Sequence, residues 1–188
     1  MNQYPNAGTG LKKMYIAQIG ALICTVCAII PVINLIAAIA ALVFLIISMV
    51  GLNGAGKDIA GCKTAFTLTI VNIVLSVVAV FFSAVPVVST LFSVAENVIS
   101  FLVVYLVCTS VAAVMTQMNA NDVAENGNKV WKINLVCYAA AVVIGILGMI
   151  PALTTAALIL SVVLVIVTVI ANIFYLLFLG KSSKVLGA

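Results

Sequence analysis

Residues 64–118 read TAFTLTIVNIVLSVVAVFFSAVPVVSTLFSVAENVISFLVVYLVCTSVAAVMTQM, and Glu96 is the one charged side chain among them. In hydrocarbon, backbone N–H and C=O groups find no water, so a segment there pairs them internally as helix. As one helix this run would be about 80 Å long, whereas the hydrocarbon layer is about 30 Å thick. The run must fold back on itself. Pro86, near its middle, marks the place: proline disfavours helix in the residue before it and has no N–H to continue one.

Two further blocks, 14–52 and 132–179, share this layout, with Pro31 and Pro151 near their middles. Each proline follows a β-branched residue (Ile30, Val85, Ile150). Each is followed three positions later by Asn34, Ser89 or Thr154, which the pattern predicts to cap the outgoing helix. The repeated [Ile/Val]-Pro-x-x-[Asn/Ser/Thr] reads as an internal repeat of roughly 55–65 residues. The expected fold is therefore all-α: a polytopic membrane bundle of six transmembrane helices built as three helical hairpins, with Pro31, Pro86 and Pro151 at the tips.

Composition excludes the alternatives. The 188 residues are 66% hydrophobic and 6% charged, against about 25% charged in a soluble domain, and mean hydropathy is +1.41. A water-soluble fold leaves roughly a third of its unfolded surface wet and cannot hide so much apolar area. There is no His, which removes histidine acid–base chemistry. The bases are eight scattered lysines with no arginine and no basic run, which makes no phosphate-tracking patch, so nucleic acid is not an expected partner.

The lysines report topology. Lys12, Lys13, Lys57, Lys63, Lys129, Lys132, Lys181 and Lys184 all fall at one end of the hairpins. By the positive-inside rule that end is cytoplasmic. The reading is then a cytoplasmic tail over 1–13, cytoplasmic connections over 53–63 and 119–131, and a cytoplasmic tail over 180–188. Crossings are expected at 14–30, 33–52, 64–85, 88–116, 132–150 and 153–179. The first is short enough to be interfacial or re-entrant, and the fourth long enough to tilt or project. Lys13 with Tyr15, Lys63 with Phe66 and Lys129 with Trp131 look like interfacial anchors. Ala38-Ile39-Ala40 imitates a signal-cleavage site, but the apolar run continues unbroken to Leu52, so a retained plasma-membrane segment is expected.

Few residues could carry chemistry. Glu96 lies about 10 Å from the outer end of the fourth crossing. Ser89, Ser93, Glu96 and Ser100 share one face, with Asn97 beside it. A charged carboxylate at depth costs about 2.5–3.5 kcal/mol even on the gentler insertion scale, and no lysine lies at that end to offset it. Such a residue marks a neutral, interhelically bonded acid or a proton or cation pathway. Two more polar faces run along Thr69, Asn72, Ser76 and Ser83, and along Ser161, Thr168, Asn172 and Tyr175, with Gln18 and Thr25 on the first helix. Asn72 and Asn172 are placed to meet at one depth. Small residues at Ala37 and Ala41, and at Gly145 and Gly148, allow close helix approach.

Cys24-Thr25-Val26-Cys27 is a C-x-x-C, as in dithiol centres. Its placement in a helix resembles the membrane-embedded C-x-x-C of the vitamin K epoxide reductase family, which would imply electron relay to a quinone. That family also carries a cysteine pair in an outward loop, and the proline tips here have no cysteine. Five cysteines without histidine form no paired ligand set, so no metal or cofactor is expected. In size and helix count the chain is similar to the substrate-binding subunits of energy-coupling-factor vitamin transporters. In its three proline-tipped hairpins it is similar to the HdeD-type acid-resistance membrane proteins.

With short loops and no catalytic constellation, the chain reads as a non-enzymatic accessory or structural membrane subunit. The alternatives are a proton- or cation-linked transporter, or substrate-binding transport subunit, using Glu96, and a thiol-redox protein using Cys24 and Cys27. Expected partners are the lipid bilayer and either another membrane protein or further copies of the chain.

Overall fold

Helices run well beyond the apolar blocks that announce them. The computed structural model describes residues 4–27 and 34–187. Among these it is all helical: α1 (Pro5–Cys27), α2 (Asn34–Ala55), α3 (Ala60–Phe81), α4 (Pro86–Gln117), α5 (Asn121–Gly148) and α6 (Thr154–Val185), with a 3-10 turn over Pro151–Leu153 before α6. Helices α2 to α6 are long and apolar enough to cross a membrane. The described part of α1 is not, because its first half is polar and includes Lys12 and Lys13. The tip at Pro31 lies outside the described residues.

The connections expected over 53–63 and 119–131 are mostly helical. Only 56–59 and 118–120 interrupt the helices there. Helix also covers most of the expected N-terminal tail and 180–185 of the C-terminal one. The reason is amphipathicity: in α5, Val123, Ala124, Gly127, Val130 and Asn134 are buried, a helical stripe that polar neighbours on the other face do not interrupt. Asn119 closes α4 with φ 58°, a left-handed conformation that asparagine tolerates, and the Ala120 N–H donates to the Met115 carbonyl at 2.9 Å.

Helix starts also differ from expectation. Proline is itself the first residue of α4, with extended Val85 before it and no side-chain cap. Ser89 is therefore inside the first turn, its N–H bonded to the Val85 carbonyl at 2.9 Å. At the third tip, extended Ile150 precedes Pro151, and the Thr154 hydroxyl donates to the Ile150 carbonyl at 3.4 Å instead of capping. Proline's fixed φ and missing N–H suit the first helical position, so the helix restarts at the ring and needs no cap three residues later.

The six helices form a ring. Each packs on the next in chain order, and α6 packs back on α1. Both described chain ends therefore sit at the lysine-rich end, where Ala7 and Leu186 share one buried cluster. That cluster includes Leu11, Cys62, Cys108, Val111, Met115 and Phe178, all essentially inaccessible. The proline-side half is different: Leu35, Val80, Phe81, Leu91, Leu158 and Val162 are exposed, as suits a surface in contact with lipid. The tightest seam joins α1 and α2, where a Cβ on Gly10 would strike the backbone of Gly51 and Ala55. Gly145, by contrast, has nothing near it, so it does not serve the close approach expected of it.

One carboxylate pins the N-terminus to this end. Asp58, in the α2–α3 turn, accepts from the Asn6 N–H at 2.8 Å, the Ala7 N–H at 2.9 Å and the Asn6 side-chain amide at 3.0 Å. Pro5 has no N–H, so Asp58 satisfies the first free donors of α1 and complements its dipole. Desolvation pushes this carboxyl up. The hydrogen bonds from the Asn6 side chain and the two N–H groups, with the Lys57 charge, outweigh it and hold the group below the ordinary 3.8.

A depressed folded-state value makes this contribution complete above the ordinary aspartate range and loses it as pH falls through the folded value. Asp58→Ala is expected to cost about 1 kcal/mol at neutral pH. Its melting curve in detergent should also lose the part of the wild-type decline that lies below about pH 4. Equal acid sensitivity in both proteins would contradict the assignment.

Candidate functional site

Halfway along the helices lies a half-open chamber of about 290 Å³, to which all six helices contribute. Helix α1 brings Met14 and Gln18, and α2 brings Leu45, Ser48 and Leu52. Thr69 and Asn72 come from α3, and Ser100 with Val103 and Val104 from α4. Tyr138 of α5 and Asn172 and Tyr175 of α6 complete it. None of these side chains is charged.

Two hydrogen bonds tie the walls together. The Asn72 amide donates to Ser100 Oγ at 3.3 Å, linking α3 to α4. The Gln18 amide donates to Asn172 Oδ1 at 3.3 Å, linking α1 to α6. Both are long and correspondingly weak. Asn72 Oδ1 is buried without a partner, leaving a free acceptor in the wall. Thr69 is satisfied locally, its hydroxyl donating to the Ala65 carbonyl at 2.9 Å. Parts of the polar faces inferred on α1, α3, α4 and α6 therefore meet in one space, namely Gln18, Thr69 with Asn72, Ser100, and Asn172 with Tyr175. Asn72 and Asn172 line the same chamber but bond to different partners.

The chamber has unequal ends. Toward the lysine side, the same helix faces continue into Leu11, Val107, Val111 and Phe178, which are inaccessible, so that side is sealed by packed side chains. Toward the proline side, Ser76 and Ser93 are exposed. The Ser93 hydroxyl donates to the Ser89 carbonyl at 3.1 Å.

Glu96 lies one turn beyond Ser100 on the same face of α4, toward the proline end. It is half-buried, is not part of the chamber wall, and makes no hydrogen bond or ion pair among the described residues. Asn97 turns elsewhere. Its amide donates to the Ser93 carbonyl at 2.8 Å, and it lines a separate apolar cleft of about 140 Å³ between α4 and α5 with Phe101 and Tyr138. Ser161 bonds its own helix through the Leu158 carbonyl at 2.7 Å, away from the chamber. The Thr168 side chain instead meets Cys137 across α5–α6.

Cys24 and Cys27 are free thiols one turn apart on α1, the first buried and the second half-buried. Neither lines the chamber. Thr25, between them, lines a cleft of about 90 Å³ with Gln18 and Asn172.

Ser48 and Tyr138 belong to the chamber but carried no signal in the sequence, since a single serine among aliphatic residues and a tyrosine near a helix middle have no periodic pattern. No protein-family model, curated protein or solved structure matches the chain.

An interhelical hydrogen bond in a membrane bundle is worth about 0.6 kcal/mol. Asn72→Ala should therefore lower the melting temperature in detergent by only about 1–2 °C, and Gln18→Ala by as much. A loss of ten degrees in either would mean that the chamber's polar pairs hold the fold together.

Proposed function

We propose that this multi-pass membrane protein has no catalytic centre and uses the mid-bundle chamber to take up a small polar solute, with Glu96 as the proton- or cation-binding group at its entrance. The observation that carries the reading is the convergence of six helices' polar side chains on one uncharged cavity. Chambers near the bilayer midplane are where transporters hold substrates. An uncharged wall of amides and hydroxyls suits a neutral polar molecule, which loses less hydration than an ion. The unpaired Asn72 oxygen offers that solute a hydrogen-bond acceptor, and the inaccessible side chains packed toward the lysine end close that side of the chamber.

A carboxylate at the mouth supplies the coupling. Protonated, Glu96 is neutral and can donate a hydrogen bond; ionised, it attracts a cation into a space that holds no other charge. Lysine placement supports a plasma-membrane orientation with both tails cytoplasmic. Fluorescent and phosphatase reporters fused in turn to each tail should both report the cytoplasm, and opposite answers would break the six-crossing topology.

The transport reading is tested in vesicles. Purified protein in liposomes should let glycerol or urea re-enter after a hypertonic step faster than in protein-free vesicles. Asn172→Phe, which fills the chamber, should cut the excess rate at least tenfold. Glu96→Gln should abolish any accompanying proton movement followed with an internal pH dye.

The second reading is an accessory or structural subunit, supported by the hydrogen bonds that tie Gln18 to Asn172 and Asn72 to Ser100 across helix interfaces. Vesicles as tight as protein-free ones to glycerol, urea, protons and potassium would leave that reading in place of the first.

A further inference from the structure

We infer that the lysine-rich end of the α1–α6 seam is a binding site for one anionic phospholipid, separate from the chamber. A groove of about 370 Å³ runs there, walled by Lys12 and Tyr15 of α1 and by Leu177, Gly180, Lys181 and Lys184 of α6. Three exposed ammonium groups stand along it, and no acid lines it. The described ion pair, Glu125 with Lys129 at 2.7 Å, lies on α5. Lys12, Lys181 and Lys184 make no ion pair among the described residues, so their charge is available to an outside anion.

The groove's shape explains why the anion is a lipid. Gly180 has no side chain, and the Tyr15 ring occupies the space beside it; a Cβ there would meet the ring at 2.9 Å. The wall between the lysines is thus an aromatic ring, a bare backbone and Leu177. It is an apolar surface suited to a glycerol backbone and the first methylenes of an acyl chain. The Ser183 hydroxyl already donates to the Gly180 carbonyl at 3.0 Å, so phosphate recognition falls to the lysines. Basic pockets between transmembrane helices are suited to phospholipid headgroups, and each lysine near an anionic surface adds about fivefold in affinity. The seam that closes the helix ring is also the one where α6 returns to α1, so a bound lipid would bridge the two ends of the chain.

The test measures lipid retained by the full-length protein after detergent exchange from phosphatidylcholine vesicles containing phosphatidylglycerol, read by native mass spectrometry. One phosphatidylglycerol should remain bound in the wild type. The double variant Lys181→Gln/Lys184→Gln should lower retention at least tenfold, whereas Lys57→Gln/Lys63→Gln, which removes the same charge outside the groove, should leave it unchanged. Gly180→Leu keeps every lysine but displaces Tyr15 and should also release the lipid, with helix content by circular dichroism confirming that it folds. Excess inorganic phosphate should not displace the lipid; displacement would assign the site to a free anion and overturn the proposal. Equal losses in the two lysine pairs would mean diffuse surface attraction and would likewise overturn it.

Discussion

Burial in this protein follows the solvent. At the lysine-rich end the helices emerge into water, where removing apolar surface is favourable by about 25 cal/mol per Å². Ala7, Ala55, Met115 and Leu186 are inaccessible there. Further along the same helices the surroundings are lipid tails as apolar as leucine, and no such force draws the helices together. The exposed Leu35, Phe81, Leu91 and Leu158 lie in that half. One end is consequently locked, and the other is held by weaker contacts.

Closure of the ring depends on this locked end. Gly10 and Gly51 let α1 and α2 approach backbone to backbone, Asp58 satisfies the first donors of α1, and the Tyr4 hydroxyl reaches Gln117 at the end of α4 at 2.9 Å. With α6 packed on α1, six inward faces are brought to one axis. The central chamber follows from that closure. Polar side chains that each helix carries for its own reasons come to share a space, and weak hydrogen bonds such as Gln18 to Asn172 can form across it.

Much of this is legible in the residues. A block such as 64–118 is too long and too apolar to be anything but a returning membrane helix pair, and Pro86 locates the return. The asymmetry of the lysines is equally plain. Other readings fail for identifiable reasons. Ser89 and Thr154 resemble caps but lie inside a helix or next to one already begun, because proline opens a helix as readily as it ends one. Residues 119–131 resemble a loop by composition, yet a buried stripe through Val123, Ala124, Gly127 and Val130 makes most of the segment helical. Gly145 looks like a packing residue and touches nothing, while Gly10, in what reads as a tail, sits in the tightest seam.

The amino-acid order alone determined that the chain is helical, that it enters lipid, how often it turns and which end carries charge. These follow from local constraints: backbone hydrogen bonding in hydrocarbon, proline stereochemistry and the cost of burying lysine. Tertiary structure decided which polar faces meet, that Glu96 stands beyond the chamber wall and not in it, and that Lys12 joins Lys181 across more than 160 intervening residues. Rotation of one helix against another changes nothing in its own periodicity. It is set by which small residues let backbones approach, a relation between helices that no single segment contains.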